Sequence, residues 1–171
     1  TDKETAEVVR MVLAGKVNKG LVGYINSIGG NALGLCGTDG NMLCVSKKTE
    51  DGVDYGYVGE IEQVNSKSIT DCLKDGYIPV ISTIATDKEG NVYNINADTA
   101  AAMIAAELKA ENLIMMTDIA GLLHDKDDPK TLIPEISVAE AKQLQTEGII
   151  SGGMIPKVEC CIDAIKSGVR K

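Results

Sequence analysis

Three short apolar runs constrain this chain most: Ala32-Leu33-Gly34-Leu35-Cys36, Ile78-Pro79-Val80-Ile81 and Leu113-Ile114-Met115-Met116. Each is brief and nearly uninterrupted, the form of a strand covered on both faces in a parallel sheet. Helix signals fall between and after them. Thr1-x-x-Glu4 is a capping box opening a helix through Val8, Val9, Val12 and Leu13, which Gly15 interrupts. A second helical stretch carries Leu21, Val22 and Ile25 to Gly29-Gly30. Ser68 caps a short helix that ends at Gly76. Thr99 to Leu108 is alanine-rich and the most helix-prone piece. Ser137-x-x-Glu140 is another capping box, for a helix ending by Gly148. Pro156 suits the first turn of a last helix, with Val158, Cys161, Ile162 and Ile165 at helical spacing and Gly168 closing it before a strand at Val169.

Two turn signals interrupt this alternation. Asp39-Gly40 predicts a hairpin joining Ala32–Cys36 to Met42-Leu43-Cys44-Val45, and Asp87-Lys88-Glu89-Gly90 predicts another before Val92-Tyr93. Lys47 to Asp54 reads as a polar loop, and Tyr55 to Val64 as a strand broken at Gly56 and Gly59. The alternation predicts an α/β fold, a three-layer αβα sandwich with a mainly parallel sheet.

The core must be aliphatic, because aromatic residues are only 3% of the chain and all are tyrosine. Asp and Glu number 25 against 17 Lys and Arg, a net charge of −8. Such a chain has no electrostatic footprint for nucleic acid, and an anionic ligand needs locally placed cations and backbone amides. No apolar run approaches ~20 residues, so no membrane span is expected. Five cysteines without metal-type spacing suggest reduced thiols in a cytoplasmic protein, with the adjacent Cys160 and Cys161 filling one helix. The opening Thr1-Asp2-Lys3-Glu4 is neither a signal peptide nor an initiator and reads as the interior of a longer chain.

Three segments at strand-to-helix junctions carry possible chemistry, the place where open α/β sheets bind ligands. In Asn94-Ile95-Asn96-Ala97-Asp98-Thr99, capping alone accounts for Asp98. Asn94 is harder to explain, since it ends an apolar strand where nothing needs an amide. In Met116-Thr117-Asp118-Ile119-Ala120-Gly121-Leu122, a buried strand runs into a hydroxyl, a carboxylate and a glycine. That suits phosphate or ribose, and equally an ordinary turn. In Ile149-Ile150-Ser151-Gly152-Gly153-Met154-Ile155-Pro156-Lys157, glycines before a helix start free backbone N–H groups for an anion. Lys157 lies near the positive helix end, where a cation is disfavoured unless an anion accompanies it. The spacing is not that of a P-loop. His124, the single histidine, sits in a polar stretch and reads as a surface residue.

Together these segments resemble the acetylglutamate kinases of the amino acid kinase family, essentially end to end. Val12-Leu13-Ala14-Gly15-Lys16-Val17-Asn18-Lys19, Val58-Gly59-Glu60-Ile61 and Gly76-Tyr77-Ile78-Pro79-Val80 belong to the same resemblance. It implies ATP-dependent phosphorylation of the side-chain carboxylate of N-acetyl-L-glutamate in arginine biosynthesis, with Mg²⁺ arriving on ATP. It implies substrate binding by Asn94, organisation of catalytic lysines by Asp98, and transition-state stabilisation by Lys157. Thr117, Asp118, Ile119, Ala120, Gly121, Leu122 and Leu123 would line the ATP pocket with Ile149, Ile150, Ser151, Gly152, Gly153 and Met154. Residues 1–110 would be the rear of the N-acetylglutamate and dimerisation lobe, and 111–171 the front of the ATP lobe. The family's leading strand, glycine-rich loop with another lysine, and substrate-gripping arginine have no counterpart in this sequence. The fold is therefore expected to be incomplete and the isolated chain inactive. Family members form homo-oligomers, and some respond to arginine or a signalling protein. The alternatives are a non-catalytic nucleotide-binding or interaction fragment, and a sister kinase acting on another carboxylate or a carbamate.

Overall fold

The computed structural model describes residues 1–50, 52–118, 121–125 and 127–171. The chain divides into two compact units, Thr1–Ala100 and Ala101–Lys171.

The first unit opens with one long helical run. Helix α1 (Lys3–Arg10) passes through a π-helical segment, Met11–Val17, into α2 (Asn18–Ser27). Its N-cap is Asp2, whose carboxylate accepts from the Thr5 N–H at 2.7 Å, rather than Thr1. Gly15 does not break the helix as expected. The turns around it widen instead, a change a residue without Cβ accommodates at little steric cost. Gly29, at φ +89°, ends the run.

Strand β1 (Ala32–Cys36) does not form the predicted hairpin with β2 (Leu43–Glu50). A 3₁₀ turn at Asp39–Asn41 separates them, and β1 pairs in parallel with β4 (Ile78–Ser82), Leu35 opposite Ile81. β2 pairs instead with β3 (Val53–Val64) in an antiparallel ladder that takes in most of the expected Lys47–Asp54 loop. Lys47–Asp54 and Lys48–Glu50 ion pairs sit on that hairpin. Helix α3 (Lys67–Lys74) starts after Ser66, not at Ser68.

β5 (Ile84–Thr86) and β6 (Val92–Ile95) form the predicted second hairpin. Asp87 organises its turn by accepting from the N–H groups of Glu89 and Asn91, the Asn91 amide and the Tyr93 hydroxyl. β6 also pairs in parallel with β3, giving a four-stranded mixed sheet of order β2-β3-β6-β5 beside the two-stranded β1-β4 sheet. The core is aliphatic apart from Tyr93, with Met42, Leu43, Ile69 and Ile84 fully buried.

Helix α4 (Ala97–Glu107) begins in the first unit and continues into the second. There its Ala102 and Ala105 form a small cluster with Ala164 and Val169. The expected strand at Leu113–Met116 is absent. Among the described residues, backbone pairing there is confined to Leu113 donating to the Lys171 carbonyl and Lys171 donating to that of Glu111. With no ladder beyond that point, Ile114 and Met116 are 82% and 90% exposed. Helix α5 (Val138–Thr146) carries the predicted capping box, Ser137 and Glu140 each accepting the other's N–H. Helix α6 (Met154–Lys166) follows and ends before Gly168, at φ +107°. Among the described residues no helix is long and apolar enough to cross a membrane.

Candidate functional site

In the first unit the candidate residues lie where β6 leaves the sheet. β6 is an interior strand, with Asn94 opposite Val58 on one side and Ile84 on the other. Its neighbours Tyr93 and Ile95 are buried at 6% and 3% exposure, while Asn94 alternates to the other face and is half-buried. The β3–β6 approach is close enough to require glycine. A Cβ on Gly59 would lie 2.6 Å from the Ile95 Cδ1 and 2.8 Å from the Tyr93 Cβ.

The segment then turns into α4, and Asn96 is the residue that caps it. Its Oδ1 accepts from the Thr99 N–H at 2.9 Å and from the Thr99 hydroxyl at 3.2 Å. Asp98 therefore does not serve as the N-cap. It sits inside the first turn, half-buried, where the helix dipole favours a carboxylate. Strand end and helix start thus bring Asn94, Asn96 and Asp98 into one short segment.

In the second unit the predicted nucleotide residues fall into two segments. Thr117 and Asp118 are exposed, the threonine hydroxyl donating to the Asp118 carboxylate at 3.2 Å. Ile119 and Ala120 lie outside the described residues. Gly121 has φ +142°, and a Cβ there would stand 3.0 Å from Leu132. Leu122 and Leu123 fold back on the following turn, through the Ile133 N–H donating to Leu122 and a bridge between Leu123 and Leu132. His124 is exposed, as its polar surroundings predict.

The second segment precedes α6. Ile149 and Ile150 both donate their N–H groups to the Leu144 carbonyl. Ile150 is only 1% exposed, packed with Ala141, Leu144 and Ile162. Leu122, Ile149 and Met154 pack against the same cluster, so the two segments share a core. Ser151, Gly152 and Gly153 emerge from it exposed. Gly152 takes φ +56°, and added Cβ atoms at Gly152 and Gly153 would meet open space. Gly153 is the N-cap and supplies no side-chain acceptor to the helix. Among the described residues, the Gly152 and Gly153 N–H groups have no acceptor. Lys157 is the fourth residue of α6 and half-buried. Open glycine backbone, a positive helix end and a lysine on the first turn form an arrangement suited to an oxyanion such as a phosphate.

Among the described residues no group of three His, Cys, Asp or Glu side chains is placed to hold a metal ion. Sequence reasoning missed Asn96 as the cap, because Asn and Asp cap equally well and the choice depends on where the helix starts.

The chain matches the amino acid kinase family over residues 1–171. It is 57% identical over 171 residues to the acetylglutamate kinase of Brachyspira hyodysenteriae, covering 100% of this chain and 59% of that protein. It is 54% identical to the acetylglutamate kinase of Clostridioides difficile, again covering 59% of the relative. The chain thus spans about three-fifths of the length of these curated relatives. Among solved structures, smu.665 from Streptococcus mutans superposes with a TM-score of 0.82 at 28% identity, over 99% of this chain and 66% of that one. Aspartokinase III of E. coli shares the fold at a TM-score of 0.63 and 18% identity, over 86% of this chain and 33% of that one. A mixed α/β topology shared with solved relatives and a match along the whole chain lead to one conclusion: the chain belongs to the amino acid kinase family.

Proposed function

We propose that this chain is the greater part of a kinase that transfers the γ-phosphoryl group of ATP to the side-chain carboxylate of N-acetyl-L-glutamate. The observation that carries this reading is the 57% identity to an acetylglutamate kinase, sustained over the entire chain. In this reading residues 1–110 serve the acetylglutamate side and residues 111–171 the nucleotide side. A carboxylate oxygen attacks the γ-phosphorus, the bond to the β–γ bridging oxygen breaks, and ADP leaves as an acyl phosphate forms. Both reactants are anionic, so alignment and charge neutralisation dominate the barrier.

The roles follow from the chemistry of each side chain. Asn94 offers an amide to the substrate. Asp98 sets the position of cationic groups around the transferred phosphoryl. Lys157 and the glycine N–H groups at the start of α6 face its oxygens, each such donor supplying on the order of 3 kcal/mol at the transition state. Thr117, Asp118 and the residues through Leu123 border the nucleotide, as do Ile149 to Met154. The buried Ile150 acts there by supporting the backbone rather than through its side chain. Mg²⁺ arriving with ATP would supply neutralisation of the phosphate charge. We assign the reaction to the cytoplasm, a compartment in which cysteines stay reduced.

Self-association belongs to the same proposal. Val17, Leu21, Tyr24 and Ile28 recur at helical spacing along the first helical run and are 47% to 68% exposed. Burying such a stripe against a second copy removes apolar surface from water.

The test is substrate choice. In the chain extended to the length of its relatives, ATP-dependent acyl phosphate, trapped by hydroxylamine, is expected with N-acetyl-L-glutamate and not with aspartate, glutamate or carbamate. Preferred turnover of one of those three would replace this proposal with a sister kinase. Nucleotide binding in calorimetry without any acetylglutamate binding would reduce it to a nucleotide-binding module.

A further inference from the structure

Asn18 is the only buried polar residue among the described residues, at 3% exposure. It lies at the start of α2, and its Nδ2 donates to the Val80 carbonyl at 2.8 Å and the Leu35 carbonyl at 3.2 Å. Those carbonyls belong to β4 and β1, so one amide spans the strand pair near its carboxyl end. Its Oδ1 is buried and has no donor among the described residues. An asparagine there leaves its own Oδ1 without a donor, a cost that an aliphatic side chain would avoid only by depriving the Leu35 and Val80 carbonyls of this amide. Only the two donated bonds favour it.

Two further features place that amide. From Ala6 to Asn18 an unbroken α-helix would turn a side chain about 120° off the buried face. The wider turns of the Met11–Val17 π-segment take back that rotation, and Ala6 and Asn18 both face inward. Opposite, residue 34 is glycine, and a Cβ there would lie 2.1 Å from the Asn18 Oδ1. The chain makes room for Asn18 from both sides.

The strand ends it ties lead to the candidate site. The Leu35 carbonyl also accepts from the Ser82 hydroxyl at 3.5 Å. The next residue, Thr83, accepts the Ile95 N–H at 2.9 Å. Ile95 stands between Asn94 and the helix cap Asn96. Hydrogen bonds joined through the Ser82–Thr83 chain link therefore run from α2, across the ends of β1 and β4, to the end of β6.

We infer that Asn18 is a positioning residue for the acceptor-substrate site, holding the β4–β5 connection against which Asn94 is set. This rests on the reading of Asn94 as the substrate contact. It requires that the supporting shell, not only the contacting side chain, fixes the binding geometry.

The experiment is steady-state kinetics on the chain extended to its relatives' length, with melting temperatures measured in parallel. Asn18→Ala is expected to raise KM for N-acetyl-L-glutamate about tenfold and leave KM for ATP within about twofold, as for a misplaced binding group. Gly34→Ala, which pushes the same amide aside, should do likewise, and the double variant should be no worse than either single one. A lowered melting temperature with both KM values unchanged would mean that the clamp is structural only, and would overturn the inference. Asn94→Ala run alongside separates the two failures. An unchanged acetylglutamate KM in Asn94→Ala removes the substrate assignment and the inference with it. A raised value there, with Asn18→Ala unchanged, removes the inference alone. Should Asn18→Ala not fold, Ser82→Ala perturbs the same joint more gently. A rise of about twofold or more in acetylglutamate KM supports the inference, and no rise contradicts it.

Discussion

Asn96 and Asp98 stand two residues apart in one segment and do different work. Asn96 holds the first turn of α4 through Thr99. Asn96→Ala should therefore destabilise the fold by about 1 kcal/mol, the usual cost of losing an N-cap. Asp98→Ala removes a dipole-favoured charge, and should cost a few tenths of a kcal/mol up to about 1 kcal/mol while sharply reducing turnover. Urea melts of the two variants, set against their rates, check that division. Sequence alone could not assign it, because Asn and Asp are equally good caps. The choice depends on where the helix starts, here one residue after Asn96. The same limit applies to Asn18. Its burial depends on the π-segment, which turns it inward and has no local sequence signal.

At the scale of elements, local chemistry and nonlocal pairing had different fates. The Ser137–Glu140 box, the Asp87–Gly90 turn and the helix after Gly153 were legible because each is specified within a few residues. The β1–β2 hairpin was not, because Asp39-Gly40 encodes a reversal of the chain but not the pairing of the strands on either side. β1 found its partner some forty residues on, in β4. The strand expected at Leu113–Met116 failed for the same reason: an apolar run states that it can be covered, not by which element.

The Asp87 turn carries a pH signature. Burial pushes its carboxyl up, but the bonds from Asn91, Tyr93 and Glu89 outweigh this and hold it below the ordinary value of 3.8. The folded state therefore binds this proton less readily than the unfolded chain. The resulting stability is present above pH 3.8 and is lost as pH falls through the lower folded value. Asp87→Asn should flatten this part of the acid limb of stability against pH, followed by circular dichroism. An acid limb identical to that of the unaltered chain would contradict it.

At the scale of the molecule, each unit carries its own candidate segment: an amide and a carboxylate at the end of β6 in the first, and a glycine turn with a lysine at the start of α6 in the second. The resemblance to acetylglutamate kinases was legible because it is carried by these short, ordered segments. Their spatial supports were not, since they depend on contacts distant in sequence. The exposed stripe on the first helical run makes a further prediction at this scale. Tyr24→Glu combined with Leu21→Glu should shift the protein toward a monomer in sedimentation velocity, because two charges would have to be buried in an apolar contact. An unchanged sedimentation coefficient would exclude that face from self-association.

The most direct test of the proposed phosphoryl transfer is the rate of Lys157→Ala in the chain extended to its relatives' length, at saturating ATP and N-acetyl-L-glutamate. The account predicts a fall in kcat of about a hundredfold or more, from the loss of charge stabilisation at the transferred phosphoryl group. A kcat equal to that of the unaltered enzyme would contradict it.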